Sequence, residues 1–262
     1  FMIISAVTNI ILDVVAIAVF HMGVGGAALA TVISQGLSAI LSFIYIKKKF
    51  TILKPSKEEM KYDKSLSKVL LRVGLPGAFQ YSITAISCIL VQASLNNFGS
   101  DSVAAYSVAN KIENMVTQFY PALGIGISTF AGQNLGAGEL KRVRKGFRVS
   151  VYMNIAYSIL AFFICQFFAS PMTKLFVDSN TSSPLVIEES ILYVTTMSIF
   201  FIPLGFIFIF RTGCQGLGSG KIPMLSAIIE LIARATTAFS LPYFFGFLGI
   251  CLSNAVSWIG AG

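Results

Sequence analysis

The stretch FMIISAVTNIILDVVAIAVFH, residues 1–21, decides how this sequence is read. It is apolar for long enough to cross a hydrocarbon core of about 30 Å, which takes roughly 20 helical residues at about 1.5 Å each. Yet Asn9 and Asp13 sit near its middle, four residues apart and so on one helix face. An ionisable group at that depth costs on the order of 2.5–3.5 kcal/mol on insertion scales and calls for a reason.

Outward from this stretch, apolar runs recur at 25–46, 69–98, 103–132, 147–173, 185–210, 222–245 and 247–262, the last cut short at Gly262. Together they make eight spans. With 55% apolar and 11% charged residues, the chain has too little polar surface to cover a soluble globule. The expected fold is all-α, a polytopic membrane helical bundle. Phe1 lies inside an apolar run with no starting Met, basic flank or signal-cleavage pattern, so both ends read as truncations of a longer protein.

The net charge of +8 is distributed by topology. Nine basic residues lie in 47–72 and five in 141–148, while Arg211 and Lys221 frame a third connection. The alternate connections carry Lys174 beside Asp101, Asp178, Glu188 and Glu189. This alternation is the positive-inside pattern, and it places 47–68, 136–146 and 212–221 in the cytoplasm. A nucleic-acid face would interleave basic residues with aromatics, whereas the aromatics here lie in the spans. Cys88, Cys165, Cys214 and Cys251 lack CxxC spacing and read as buried small hydrophobes. His21, the single histidine, has no partner at ligand spacing, so neither a cofactor nor a structural metal is expected.

Residues 47–68 form the long polar connection, and Ser56-Lys57-Glu58-Glu59 has capping-box spacing for a short amphipathic helix. Residues 1–46 then close one bundle, and 69–262 make most of a second. An internal echo supports the division. Ser5-Ala6, Asn9 and Asp13 align with Ser226-Ala227, Glu230 and Arg234, and after a two-residue shift Gly26 and Ser34 fall on Gly249 and Ser257. Repeated halves with a site near the midplane are typical of secondary transporters.

Three polar constellations sit inside spans. Asp13, with Asn9 and Thr31 from the neighbouring span, offers oxygens for Na⁺ or a carboxylate that takes up a proton; the plainer alternative is an interhelical hydrogen bond. Tyr106, Asn110, Glu113 and Thr117 make one polar stripe, with Lys111, Asn114 and Gln118 on the adjoining face; Glu113 either lines a cavity or pairs with Lys111. Glu230 and Arg234 read as a buried intrahelical ion pair or as cavity lining. Gln80 is a weaker candidate. Pro121-Ala122-Leu123-Gly124-Ile125-Gly126, Pro203 and Pro242 are expected to interrupt three spans as bending points.

At this point the chain resembles the multidrug and toxic compound extrusion family, bacterial type. The run from Gly23 to Gln35 resembles that family's fifth-to-sixth helix junction. Gly74-Leu75-Pro76, Asn97-Phe98-Gly99 and Val103-Ala104-Ala105-Tyr106 resemble its seventh and eighth helices. Gly132-Gln133-Asn134-Leu135-Gly136-Ala137-Gly138 and Arg211-Thr212-Gly213-Cys214-Gln215-Gly216-Leu217-Gly218 resemble the cytoplasmic ends of helices eight and ten. The resemblance covers all 262 residues, as helices five to twelve of twelve arranged in two six-helix lobes.

It implies a monomeric secondary antiporter in the bacterial cytoplasmic membrane that exports small, often cationic amphiphilic compounds in exchange for Na⁺ or H⁺. Asn9, Asp13 and Thr31 fall on the family's amino-lobe cation positions, which also use an aspartate on helix one. Residues 69–98 lack the carboxylate that some relatives carry in the other lobe. Gln80, Tyr106, Asn110, Glu113, Thr117, Glu230 and Arg234 are the expected substrate-cavity residues. A lipid-linked precursor flippase of the same superfamily is the alternative and would favour a more cationic cavity; a membrane-embedded enzyme or receptor fits less well, because no nucleophile, base or metal cluster is in view.

Overall fold

A computed structural model describes residues 1–50, 61–177 and 183–262. The capping-box helix expected at 56–59 falls outside the described residues. Ten α-helices account for nearly all of the rest: α1 Met2–Val14, α2 Gly23–Lys49, α3 Lys64–Leu95, α4 Ser100–Thr117, α5 Phe119–Gly136, α6 Leu140–Lys174, α7 Pro184–Ser198, α8 Phe201–Gly216, α9 Lys221–Phe245 and α10 Phe247–Ala261. A π-helical turn, Val15–Val19, continues α1. The chain divides into two compact units, Phe1–Lys64 and Ser65–Gly262.

All eight apolar runs are helical, but they do not qualify equally as spans. Met2–Val19, α2, Lys64–Phe98, α6 and α9 are each long and apolar enough to cross a membrane, and α7 with α8 makes a sixth span bent by 58°. The run at 103–132 divides into α4 and α5, and Asp101, Lys111 and Glu113 make α4 too polar to qualify by composition. The fifteen-residue α10 is short.

The first unit is a helical hairpin that turns at His21, whose backbone is left-handed at φ 52°. No residue of α1 is buried, and Met2 and Ile3 of α1 and Val24 of α2 are among the unit's most exposed side chains. Apolar side chains facing outward in this way suit lipid rather than water. In the second unit, all the helices from α3 to α10 contribute to one core that includes Val91, Tyr120, Tyr193, Phe201 and Trp258.

Proline governs the two breaks in that unit by a common rule. Its ring excludes the carbonyl four residues back, and its missing N–H is harmless in a helix's first turn. Pro121 and Pro203 each occupy the third position of the helix after a break. Four residues back lie Thr117, the end of α4, and Ile199, the cap of α7. The chain therefore breaks upstream of each proline, and α5 runs unbroken through residues 121–126.

Side chains from α6 donate to carbonyls beside the breaks. Tyr157 donates to the Val116 carbonyl at 2.6 Å, Gln166 to Thr195 at 3.0 Å and Asn154 to Ile202 at 3.1 Å. Pro242 interrupts nothing: it lies in the last turn of α9, and Ser94 donates at 2.5 Å to Ala238, four residues before it.

Close helix crossings use glycine, as expected where backbones must approach in a bilayer. A Cβ at Gly216 of α8 would stand 2.3 Å from the Ser128 carbonyl oxygen of α5. One at Gly249 of α10 would lie 2.4 Å from the Leu241 backbone of α9.

Candidate functional site

In the first unit, the α1–α2 hairpin brings Asn9 and Thr31 together. Asn9 Nδ2 donates to Thr31 Oγ1 at 3.5 Å, a long contact, and Thr31 itself donates to the Ala27 carbonyl at 2.9 Å. Both residues line a polar groove with Ser5, Ser34 and Gln35, and Ser5 donates to the Ser34 carbonyl at 2.8 Å. Asp13 lies one turn beyond Asn9, just before the π-helical turn, and is not among that groove's lining residues. Its Oδ1 is buried and has no hydrogen-bond partner. A buried carboxylate oxygen without a donor is costly to leave so.

In the second unit, α3, α4, α7, α8, α9 and α10 enclose a cavity of about 230 Å³. Glu230 is bound from two sides: Arg234 Nη2 reaches Oε1 at 2.7 Å and Arg211 Nη2 reaches Oε2 at 2.8 Å. These are the two ion pairs among the described residues, and all three side chains are nearly buried. Arg234 also donates to Ser257 at 3.0 and 3.2 Å, and Arg211 to Ser226 at 3.0 Å. Opposite this triad, Tyr193 donates to Glu113 Oε2 at 2.7 Å, and Asn254 donates to the hydroxyls of Tyr193 and Tyr106 at 3.1 and 3.4 Å.

The structure brings Tyr106, Asn110, Glu113, Glu230 and Arg234 to this one cavity. Thr117 lies behind it, donating to the Glu113 carbonyl at 2.8 Å. Gln80 is elsewhere, accepting from Gln215 Nε2 at 2.8 Å. Lys111 is exposed, and the hydrogen bond of Glu113 goes to Tyr193 instead. Cys88, expected to be buried, is exposed; it lines the cavity and lies 3.8 Å from Arg234 Nη1.

Arg211 is the residue whose role changes most. Sequence position makes it a charge at a connection, but it lies inside α8 against Glu230. The one available signal was spacing: an arginine five residues before Gly216 still belongs to the helix. Its presence gives the cavity two guanidinium groups facing two carboxyl groups. Asn254 and Tyr193 also escaped sequence reading, being ordinary polar residues without periodicity, and Ser257, picked out by the internal echo, was not expected at the cavity triad.

The MatE family profile matches residues 73–240. The chain belongs to that family. It is 31% identical over 204 residues to the "Probable multidrug resistance protein YoeA" of Bacillus subtilis, covering 75% of this chain and 44% of that protein. It is 29% identical to the "Probable multidrug resistance protein NorM" of Thermotoga maritima, over 92% of this chain and 50% of that one. It is 26% identical to the "FAD transporter" of Shewanella oneidensis, over 88% and 50%.

The chain thus spans about half the length of these curated relatives. In fold it is similar to a MOP superfamily transporter of Pyrococcus furiosus, with a TM-score of 0.91 and 19% identity over 99% of this chain and 58% of that one. It is also similar to the Vibrio cholerae MATE transporter VcmN in its bent form, with a TM-score of 0.84 and 22% identity over the same shares. This MatE chain is accordingly part of a multi-pass membrane helical bundle of a transporter family.

Proposed function

We propose that the protein is a secondary antiporter of the bacterial cytoplasmic membrane that exports small organic compounds in exchange for Na⁺ or H⁺. The observation that carries this reading is the buried, unpartnered Oδ1 of Asp13 in a MatE chain. Asp13 takes up the coupling ion, with Asn9 and Thr31 supplying neighbouring oxygens. Occupancy removes the cost of an unsatisfied buried carboxylate, so it shifts the balance between conformations that differ in that oxygen's surroundings. The protein works as a monomer without a cofactor, and residues 47–68 are its cytoplasmic linker.

The cavity of the second unit contributes polar contacts to substrate. At about 230 Å³ it takes one end of a drug-sized molecule, since whole ligands fill roughly 300–1,000 Å³. A cationic amphiphile meets Glu113 there, because Glu230 has both oxygens occupied by arginine. A second reading, an anionic substrate such as a lipid-linked precursor, draws support from Arg211 in the cavity. The Shewanella relative named as an FAD transporter is in keeping with it.

Vesicles holding the whole protein test both readings. Efflux of a cationic dye, driven by an imposed Na⁺ or pH gradient, is the expected result. Efflux of an anionic dye alone selects the second reading, and no response to either gradient overturns exchange.

A further inference from the structure

A second cavity, of about 400 Å³, lies between α5 and α6 and shares no residue with the polar one. Its walls are apolar, formed by Leu123, Gly126 and Phe130 of α5 and Val149 of α6, while Arg142 and Lys145 stand at the end nearest the α5–α6 turn. Leu123 and Phe130 are separated by seven helical rises, so the apolar wall is about 10 Å long.

Glycine shapes this groove in two opposite ways. A Cβ at Gly146 would fall 2.5 Å from the Phe130 ring, so that position holds α6 close to α5. A Cβ at Gly126 would meet nothing within 4 Å, so that position leaves the groove open. The two cations at its mouth are exposed and three residues apart, which puts them on one face of α6. Neither has a carboxylate partner, since both ion pairs among the described residues involve Glu230. No acidic residue lines the cavity.

We propose that this groove holds an anionic phospholipid, with its phosphate between Arg142 and Lys145 and the upper part of one acyl chain along Leu123, Gly126, Phe130 and Val149. Paired cations at the end of a membrane helix hairpin suit a lipid headgroup. The apolar wall decides for a lipid over a free anion, which would use none of it. Each basic residue near an anionic headgroup contributes about fivefold in affinity, so the pair contributes about twenty-fivefold. This site is independent of the ion-coupling reading.

The test is native mass spectrometry of the whole protein from micelles containing dioleoylphosphatidylglycerol or dioleoylphosphatidylcholine. The parent is expected to retain the anionic lipid preferentially, and Arg142→Gln with Lys145→Gln to weaken that retention about twenty-fivefold. Gly126→Phe should fill the groove and expel the lipid with both charges in place. Lys141→Gln with Arg144→Gln removes the same charge outside the groove and should change retention less than about threefold.

Equal retention by the parent and the Arg142/Lys145 variant overturns the proposal, as does unchanged retention by the Gly126 variant. An equal loss in the Lys141/Arg144 variant makes the patch diffuse. Displacement by inorganic phosphate alone makes it a phosphate site. Either of these results also overturns the proposal.

Discussion

Asp13 and Glu230 are both acids inside membrane helices, one helical turn out of register in the two echoing hairpins, α1–α2 and α9–α10: Glu230 stands at the place of Asn9, and Asp13 at that of Arg234. Their surroundings differ completely. Glu230 has a guanidinium on each oxygen; Asp13 has a buried oxygen with nothing on it. A carboxylate engaged on both oxygens ties helices together. One with a bare buried oxygen keeps an acceptor position open. Acidity and depth alone, which make the two residues look alike in sequence, do not separate these roles.

The comparison can be broken at its strong end. Glu230→Gln leaves Arg211 and Arg234 buried without a counter-charge, and loss of one partner of a buried ion network costs about 3–5 kcal/mol. The unfolding midpoint of the purified protein in detergent should fall accordingly. An unchanged midpoint would show that the triad is dispensable.

Next in size, Gly216→Ala drives a methyl group into the Ser128 backbone. Overpacking of this kind costs about 1–3 kcal/mol. Gly126→Ala, with open space around it, should be neutral or slightly stabilising by up to about 1 kcal/mol, through the better helix propensity of alanine. Tyr193→Phe removes the donor to Glu113 and the acceptor of Asn254, for a loss of about 1–2 kcal/mol. Asp13→Asn should have the smallest effect on the midpoint, within about 0.5 kcal/mol, because no hydrogen bond to the unpartnered oxygen is lost.

Much of the architecture was legible before any coordinates. Hydropathy located the eight apolar runs that hold the ten helices, because length and apolar continuity are one-dimensional properties. The Glu230–Arg234 pair was legible because i, i+4 spacing fixes contact within one helix. The echo was legible too, and the structure gives it substance. Ser5 and Ser226 each donate across their hairpin to a backbone carbonyl, and Gly26 and Gly249 each sit where a side chain would crowd the preceding chain segment.

What was not legible depends on which helices meet. Arg211 and Glu230 lie nineteen residues apart on different helices. Gln80 and Gln215 lie 135 apart. No periodicity encodes such partnerships. The positions of the breaks were missed for a subtler reason. Proline disrupts the carbonyl four residues upstream, so the kink lies before the residue that causes it.

The measurement closest to the central claim is gradient-driven efflux by the whole protein carrying Asp13→Asn, reconstituted at matched insertion and unfolding midpoint beside the parent. The account predicts that coupled efflux is lost while stability is kept. Coupled efflux at the parental rate would make Asp13 structural and pass the coupling role to Glu113.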